Sequence, residues 1–455
     1  MRIGELGFWW QDIGGLPRPR GPLPGPTEAD VAIVGAGYTG LWTAYYLKQA
    51  EPSLRVVVLE AEQAGFGASG RNGGWLSGFF SGPARTYERG RPPGGYLQLQ
   101  RAMFATVEEV ARVLEAEGIE AELRRSGLVS VALGTAQLTR LRESVAAARE
   151  LGLGEEDLRE LDAAELSGRV AVAGALGASC SPHVASVHPA KLLVGLAAAV
   201  ERLGVEIYER TPVHSIEPRA AHTEHGRVTA RWVVRATEGY TASLRGQRRA
   251  LAPINSSMIV TEPLGEEVWA QIGWQGHELL GDSAHVYVYL HRTADGRIAI
   301  GGRGTPYRYG SRTDGRGNTA ASTVASLRAK LAAMFPAAAG ARIDHAWSGV
   351  LGAPRDWCVS VAADPATGLA RAGGYVGEGV AAANLAARNL RDLILGGEAQ
   401  LVWVGREPNR WEPEPLRWVG IRSVYWLYRR ADGAERRSGR PSRLGALVDR
   451  FSGRE

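Results

Sequence analysis

The sequence predicts an α/β protein of two domains, one built on a parallel sheet and one contributing an antiparallel sheet. Three features carry this expectation. Residues 30–60 contain a complete strand–glycine turn–helix–strand unit. Residues 251–304 change to the alternating pattern of antiparallel strands. The chain has 455 residues, enough for two or three domains.

Composition narrows the class. Hydrophobic residues make up 45% and charged residues 22%, close to the globular average, so a disordered chain or a coiled-coil rod is excluded. The 59 glycines follow no G-X-Y period, which excludes collagen and implies many tight turns. Cys180 and Cys358 are too few for a disulfide framework or a CxxC metal site. No uncharged apolar run reaches 18 residues, and MRIGELGFWW lacks a signal pattern. A soluble, cytoplasmic protein without stable membrane insertion is expected. The net charge is +5, and residues 416–455 hold ten arginines against four acids, so the positive charge concentrates there.

The elements follow in order. Pro17, Pro19, Pro22, Pro24 and Pro26 make residues 1–29 an extended arm rather than a folded unit. Val31–Val34 is a fully apolar strand, as in a buried parallel sheet. A helix over 39–50 ends before Pro52, and a second strand, 54–59, finishes at Glu60. A polar, glycine-rich stretch fills 61–78. Residues 86–164 read as mostly helical. Helix 190–203 is stopped by Gly204, and strands follow at 205–208, 213–217, 227–229 and 231–236. After the alternating run come helix 323–334, further strands and a final helix at 380–394. The expected division is 30–85, 165–250 and 336–400 in the parallel-sheet domain, 86–164 and 251–335 in the other, and 401–455 as a basic extension.

The glycine turn carries the first chemical signal. Gly35, Gly37 and Gly40 form GxGxxG, with Ala36, Tyr38 and Thr39 between them. Gly35 permits the tight turn, Gly37 the backbone approach to a pyrophosphate, and Gly40 close helix–strand packing. The helix N-terminus offers free N–H groups to phosphates. Glu60 lies 20 residues after Gly40, where an acid bonds ribose hydroxyls and would repel a 2′-phosphate. NADP is thereby disfavoured, which leaves NAD and FAD. The stretch after Glu60, with Ala61, Gly67, Ala68, Ser69, Arg71, Asn72, Gly73, Gly74 and Trp75, favours FAD. It supplies a second loop where a nicotinamide domain would enter its next helix.

These residues and four later blocks resemble the D-amino-acid oxidase/glycine oxidase superfamily of FAD-dependent oxidoreductases. The nearer likeness is to the branch with gamma-glutamylputrescine oxidase. It spans about residues 30–400. GASGRNGG (67–74) is similar to that branch's flavin loop. Thr211-Pro212-Val213 resembles the strand at the adenine side. VVRATEGYT (233–241), with Ala236, Thr237 and Glu238, resembles the strand returning to the FAD. GGYVGEGVAAANLAARNL (373–390), with Gly374, Tyr375, Val376, Gly377, Gly379 and Val380, resembles the late turn whose helix faces the pyrimidine end of the flavin. A helix end there would stabilise the negative charge of reduced flavin. The resemblance implies a glutathione-reductase-type FAD domain under a roofing antiparallel sheet, with Gly349 also at the cofactor.

Strand parity places His285, Tyr287, Tyr289 and His291 on one face and Val286, Val288 and Leu290 on the other. The resemblance puts the aromatic face over the flavin, where it would suit an amine by packing and cation–π contact. Trp75, Tyr287, Tyr289 and Tyr375 are the candidate substrate-side residues. Each histidine reads equally well as a surface residue.

Departures from the family pattern matter. Its carboxylate-binding basic positions correspond to Val350, Leu351 and Gly352, and to Val380 and Ala381, none of them basic. Arg303 or Arg355 would have to substitute. Ser348 and Gly349 stand near the place where relatives carry a flavin-linking cysteine, so non-covalent FAD is expected. None of Lys48, Lys191 and Lys330 is placed to assist oxygen.

The segment 416–437 reads as a basic amphipathic helix with Leu416, Val419, Ile421, Val424 and Leu427, expected to pack on the FAD domain. A short helix at 440–451 follows. There is no zinc spacing, so no metal is expected, and no nucleic-acid signature. The implied reaction is oxidation of a C–N bond in an amine or amino acid. Hydride passes to flavin N5, water hydrolyses the imine, and dioxygen reoxidises the flavin to give hydrogen peroxide. Three alternatives stand beside it: a dehydrogenase using a quinone or electron carrier, a NAD-dependent dehydrogenase, and a non-catalytic flavin-binding scaffold.

Overall fold

The parallel sheet forms around strand Thr27–Val34, as the apolar run at 31–34 requires. In the computed structural model, which describes residues 1–452, this strand lies between Val56–Leu59 and Gly226–Arg235 and is parallel to both. Glu206–Tyr208 and Leu369–Gly373 extend the parallel core on either side, and three further strands complete an eight-stranded sheet. Side chains alternate between its faces. Val31, Ile33, Val56 and Val58 meet helices Tyr38–Ala50, Pro189–Arg202 and Gly379–Ile394. Ala32, Val34, Val57 and Leu59 meet Leu23 and the residues Ala221 and Val228. Both faces are covered at the centre of the sheet, so Val31–Val34 and Val56–Leu59 are apolar throughout.

The second sheet has nine strands, in the spatial order 2–3, 343–353, 252–261, 298–302, 288–292, 279–282, 128–132, 177–181 and 159–161. The eight strands from 343–353 onward are joined by antiparallel pairings except at 279–282 with 128–132, which is parallel, and residues 2–3 join the edge at 343–353 in parallel. Val288 and Leu290 point into a core with Ile259, Ile300 and Val324.

Four expectations need correction. The first 29 residues are not merely an extended arm. Arg2–Ile3 joins the second sheet, and helix Phe8–Asp12 buries Phe8, Trp9 and Trp10, because three consecutive large aromatics cannot remain in water. The segment 86–164 contains two strands, Leu128–Ala132 and Arg159–Leu161, and Gly177–Ser181 and Ile343–Ala353 also belong to the second sheet. The two sheets therefore interleave along the chain more than the expected division allowed. The strand expected from His285 begins only at Val288. His285 is held away from the sheet by the C-terminal helix.

That helix, Leu416–Ser438, packs on the second sheet's side, not on the parallel sheet. Arg140 pairs with its Glu435 at 2.6 Å, and Asp432 accepts the N–H groups of His285 and Val286. Its buried face is Arg417, Ile421, Tyr425, Tyr428, Asp432 and Glu435, while Leu416 and Val419 face solvent. The ligand atoms of His285, Asp432 and Glu435 lie within 4.8 Å of one another, but each is already engaged by the chain. Helix Arg443–Ser452 follows as expected. Among the described residues no helix is long and apolar enough to cross a membrane.

Trp9 joins the arm to the second sheet, against His291 and Trp347, and to the glycine-rich loop. It is 2% exposed, and its Nε1 donates to the Asn72 carbonyl at 2.7 Å. Trp9→Ala should cost about 3–5 kcal/mol of stability, measured by denaturant unfolding. A loss below 1 kcal/mol would mean the arm is only loosely docked.

Candidate active site

One large cavity runs between the two sheets, and the glycine turn forms one end of it. The turn is as tight as the spacing required. Gly35 has φ +109°, and a Cβ there would meet the Ala236 carbonyl oxygen at 2.6 Å. A Cβ on Gly40 would lie 1.9 Å from the Gly35 oxygen, so only glycine lets the helix sit this close to the strand. Ala36 and Gly40 thus shape the turn from behind, while Gly35, Gly37, Tyr38 and Thr39 line the cavity. Ser69 Oγ accepts the Tyr38 N–H at 2.9 Å and caps this helix from the next loop.

Glu60 also lines the cavity, beside Ala61. Its carboxylate accepts the N–H groups of Ala36 at 2.8 Å and Glu62 at 3.0 Å. Burial pushes its carboxyl up to about 7, against the pull of those two bonds. A ribose diol donating here would complete the carboxylate's hydrogen bonding.

The loop after Glu60 is held by side chains that bond its backbone groups. Gly67, Ala68, Ser69, Arg71, Asn72, Gly73 and Trp75 lie on the wall. Arg71 spends its guanidinium on carbonyls, donating to Phe66 at 2.8 Å and Gly315 at 2.7 Å, and burial lowers its pKa. The Asn72 side chain donates to the Ser69 carbonyl at 2.6 Å and accepts from the Gly74 N–H at 2.8 Å. Gly74 is off the wall: it turns the chain behind the loop with φ +75°. For Arg71 and Asn72 the side-chain bonds seen are structural, since buried backbone groups need partners.

The late turn closes the cavity. Glu238 accepts the N–H groups of Gly374 at 3.3 Å and Tyr375 at 3.0 Å, and burial pushes its carboxyl up to about 7. The Tyr375 hydroxyl meets Thr39 Oγ1 at 3.0 Å, tying this turn to the first helix. Tyr375, Gly377, Gly379 and Val380 line the cavity, so the N-terminus of the late helix reaches it. Gly374 and Val376 do not line it; Val376 faces a neighbouring cavity. Val213, Ala236, Thr237 and Gly349 complete the expected set on the wall.

The far end is aromatic. Trp75 and Tyr289 meet edge to face with centroids 5.9 Å apart. Tyr289 can lie here because Gly73 and Gly301 leave room: a Cβ on either would approach its ring to 2.9 Å or 2.1 Å. Its hydroxyl meets Ser256 Oγ at 2.9 Å. Tyr287 and Arg303 border the same chamber, as does Glu378, whose carboxyl burial raises. His291 does share the Tyr289 face, but it is no surface residue. Its Nδ1 lies 3.0 Å from the Gly73 carbonyl, and burial holds its pKa down to about 4, so the ring is neutral. Sequence reasoning missed Glu378, Ser256 and Tyr240 on the wall. Glu378 lay in plain view between Gly377 and Gly379; nothing in the sequence marked the other two.

The donor set fits FAD. Trp75 Nε1, the Tyr240 hydroxyl and Arg303 Nη1 are buried wall atoms without a hydrogen-bond partner among the described residues. Two helix N-termini and an acid for a ribose lie along one continuous space, which an adenine dinucleotide ending in a large ring would span.

The FAD dependent oxidoreductase family (DAO) matches this chain over residues 30–393. The chain belongs to that family. It is therefore a FAD-dependent oxidoreductase, and the NAD alternative falls. It is 30% identical to the gamma-glutamylputrescine oxidoreductase of Escherichia coli (strain K12), over 81% of this chain and 84% of that protein. It is 30% identical to a probable oxidoreductase OrdL of Rhizobium meliloti (strain 1021), over 87% and 90%. Its fold matches the crystal structure of glycine oxidase from Geobacillus kaustophilus with TM-score 0.68 at 23% identity, covering 82% of this chain and 96% of that one.

Two predictions follow from this geometry. Glu60→Ala should weaken FAD binding to the apoprotein by about 10- to 100-fold in a flavin-fluorescence titration, through lost charge-assisted hydrogen bonds. Unchanged affinity would mean the ribose lies elsewhere. Glu238 supports the late turn with a folded-state pKa above its unfolded value. Its contribution is full below about pH 4.5 and is lost as pH rises through about 7. Glu238→Gln should therefore flatten the apoprotein's fall in stability between pH 5 and 8, by up to about 3 kcal/mol, in unfolding curves at the two pH values.

Proposed function

We propose that this protein oxidises a C–N bond in an amine or amino acid, with dioxygen as electron acceptor. The observation that carries the reading is the aromatic chamber of Trp75, Tyr287 and Tyr289 at the far end of the cofactor cavity. Bound non-covalently at this site, FAD supplies the hydride acceptor. Neither cysteine is on the cavity wall, which supports the non-covalent reading. Glu60 and the first helix end hold the adenosine and pyrophosphate. The N-terminus of Gly379–Ile394 offers positive charge where negative charge accumulates on reduction. Trp75 and Tyr289 pack the substrate's carbon skeleton, keep water out and orient the reacting carbon. The relative named for gamma-glutamylputrescine supports an amine substrate.

A dehydrogenase that passes electrons to a carrier is the second reading. Among the described residues no lysine lines the cavity, and Lys330 is spent on the Val286 carbonyl at 2.9 Å. No side-chain ammonium is thereby provided at the chamber to assist oxygen.

The test is flavin absorbance without oxygen against polyamines, N-acylated diamines, secondary amines and amino acids of both hands, followed by air. Bleaching by one class with quick recovery supports the oxidase. Bleaching with slow recovery supports the dehydrogenase, and no bleaching by any class contradicts both. Trp75→Ala should slow bleaching by about 10- to 100-fold, and Tyr289→Phe by about 5-fold through the lost bond to Ser256, with FAD retained in each. Unchanged rates in both variants would remove the chamber from the reaction.

A further inference from the structure

Arg303 has no part in the C–N oxidation proposed for the chamber. This residue follows strand Ile298–Gly302 and stands where two cavities meet. One is the cofactor cavity. The other, about 190 Å³, is bordered by Ser81, Gly82, Trp357 and Val376, and Tyr287 and Arg303 border both.

A guanidinium inside a protein is normally paired, because burying an uncompensated charge is costly. Arg303 makes no ion pair among the described residues, and its Nη1 is buried without a hydrogen-bond partner. Its polar neighbours are the phenols of Tyr425, Tyr287 and Tyr289, and it is hydrogen-bonded to that of Tyr287. The Tyr425 hydroxyl is likewise buried and unpartnered. Glu378 feels the charge of Arg303 across the chamber but lies beyond ion-pair distance. Arg355 is no rival, since its guanidinium is spent on Glu412 at 2.9 Å and lies over Trp411.

We infer that Arg303, helped by Tyr287 on the wall and backed by Tyr425 behind it, binds a carboxylate at the far end of the substrate. The inference rests on the C–N oxidation reading and names its substrate class: an amine whose carbon chain ends in a carboxylate. The reacting carbon lies beside Trp75 and Tyr289, and the acid reaches the junction of the two cavities. A planar guanidinium matches a carboxylate's two oxygens. One arginine with neutral phenols suits a monoanion; a phosphate dianion would call for further cations. Tyr425 comes from the C-terminal helix, outside the family-matched residues 30–393, and lies on neither cavity wall, so this extension acts on the site by positioning Arg303 from behind.

The test uses the FAD-loaded protein and two matched pairs. Hexanoate and hexanamide, which carry no amine, are titrated against the flavin absorption spectrum. 6-Aminohexanoate and 6-aminohexanamide are compared as reductants without oxygen. Hexanoate should bind at least about 10-fold tighter than hexanamide, and 6-aminohexanoate should be preferred by a similar factor. Arg303→Met should weaken hexanoate by about 100-fold and erase the preference for acid over amide. Tyr425→Phe should weaken it by about 3- to 10-fold. Equal binding of acid and amide to the unaltered protein overturns the inference without any variant having to fold. If hexanoate binds as expected but the full amine panel leaves the flavin oxidised, Arg303 keeps its anion and the C–N reading alone fails.

Discussion

Two indole N–H groups fix the part of this protein on which the site depends. Trp9 donates to the Asn72 carbonyl at 2.7 Å, and Trp347 donates to the Arg71 carbonyl at 2.9 Å. These are consecutive carbonyls of the loop that forms one wall of the cofactor cavity. A glycine-rich loop has much conformational freedom to lose, so its shape must be imposed from outside. Trp9 comes from the N-terminal helix and Trp347 from the second sheet. Arg71 adds bonds to Phe66 and Gly315, and Gly73 makes room for Tyr289. The loop, the substrate chamber and the N-terminus are thus one packed unit. Removing any of these supports should disturb the others.

Much of the architecture was legible because the relevant physics is local. The apolar run at Val31–Val34, the three glycines and the acid at Glu60 each have one geometry in which they make sense together. The late helix was legible for the same reason. What escaped the sequence was non-local. Phe8–Trp10 precede a run of prolines and read as part of an arm; only the crevice against His188 and Trp347 makes them core. Strand Gly177–Ser181 has no strong periodicity and is defined by its neighbours. His285 fits the alternation of the roof strand, yet Glu435 and Asp432 draw it to a helix nearly 150 residues away.

The site divides in the same way. Residues that meet the cofactor cavity through backbone spacing were found from their motifs. Roles carried by side chains were less visible. Glu238 holds the late turn by two N–H groups, and Asn72 holds its own loop. Arg303 was noticed only as a stand-in for a missing basic residue. Its place as a buried cation without an ion pair among the described residues emerges only when the strand, the late turn and the C-terminal helix are assembled around it.

The most direct test of this account is a crystal structure of the protein as purified with its flavin. The account predicts one FAD per chain, with its adenosine ribose at Glu60, its pyrophosphate at Gly37 and its ring at the Trp75–Tyr289 end beside Gly349 and the late helix. A flavin whose ring lies outside that chamber, or a ribose that does not touch Glu60, would contradict it.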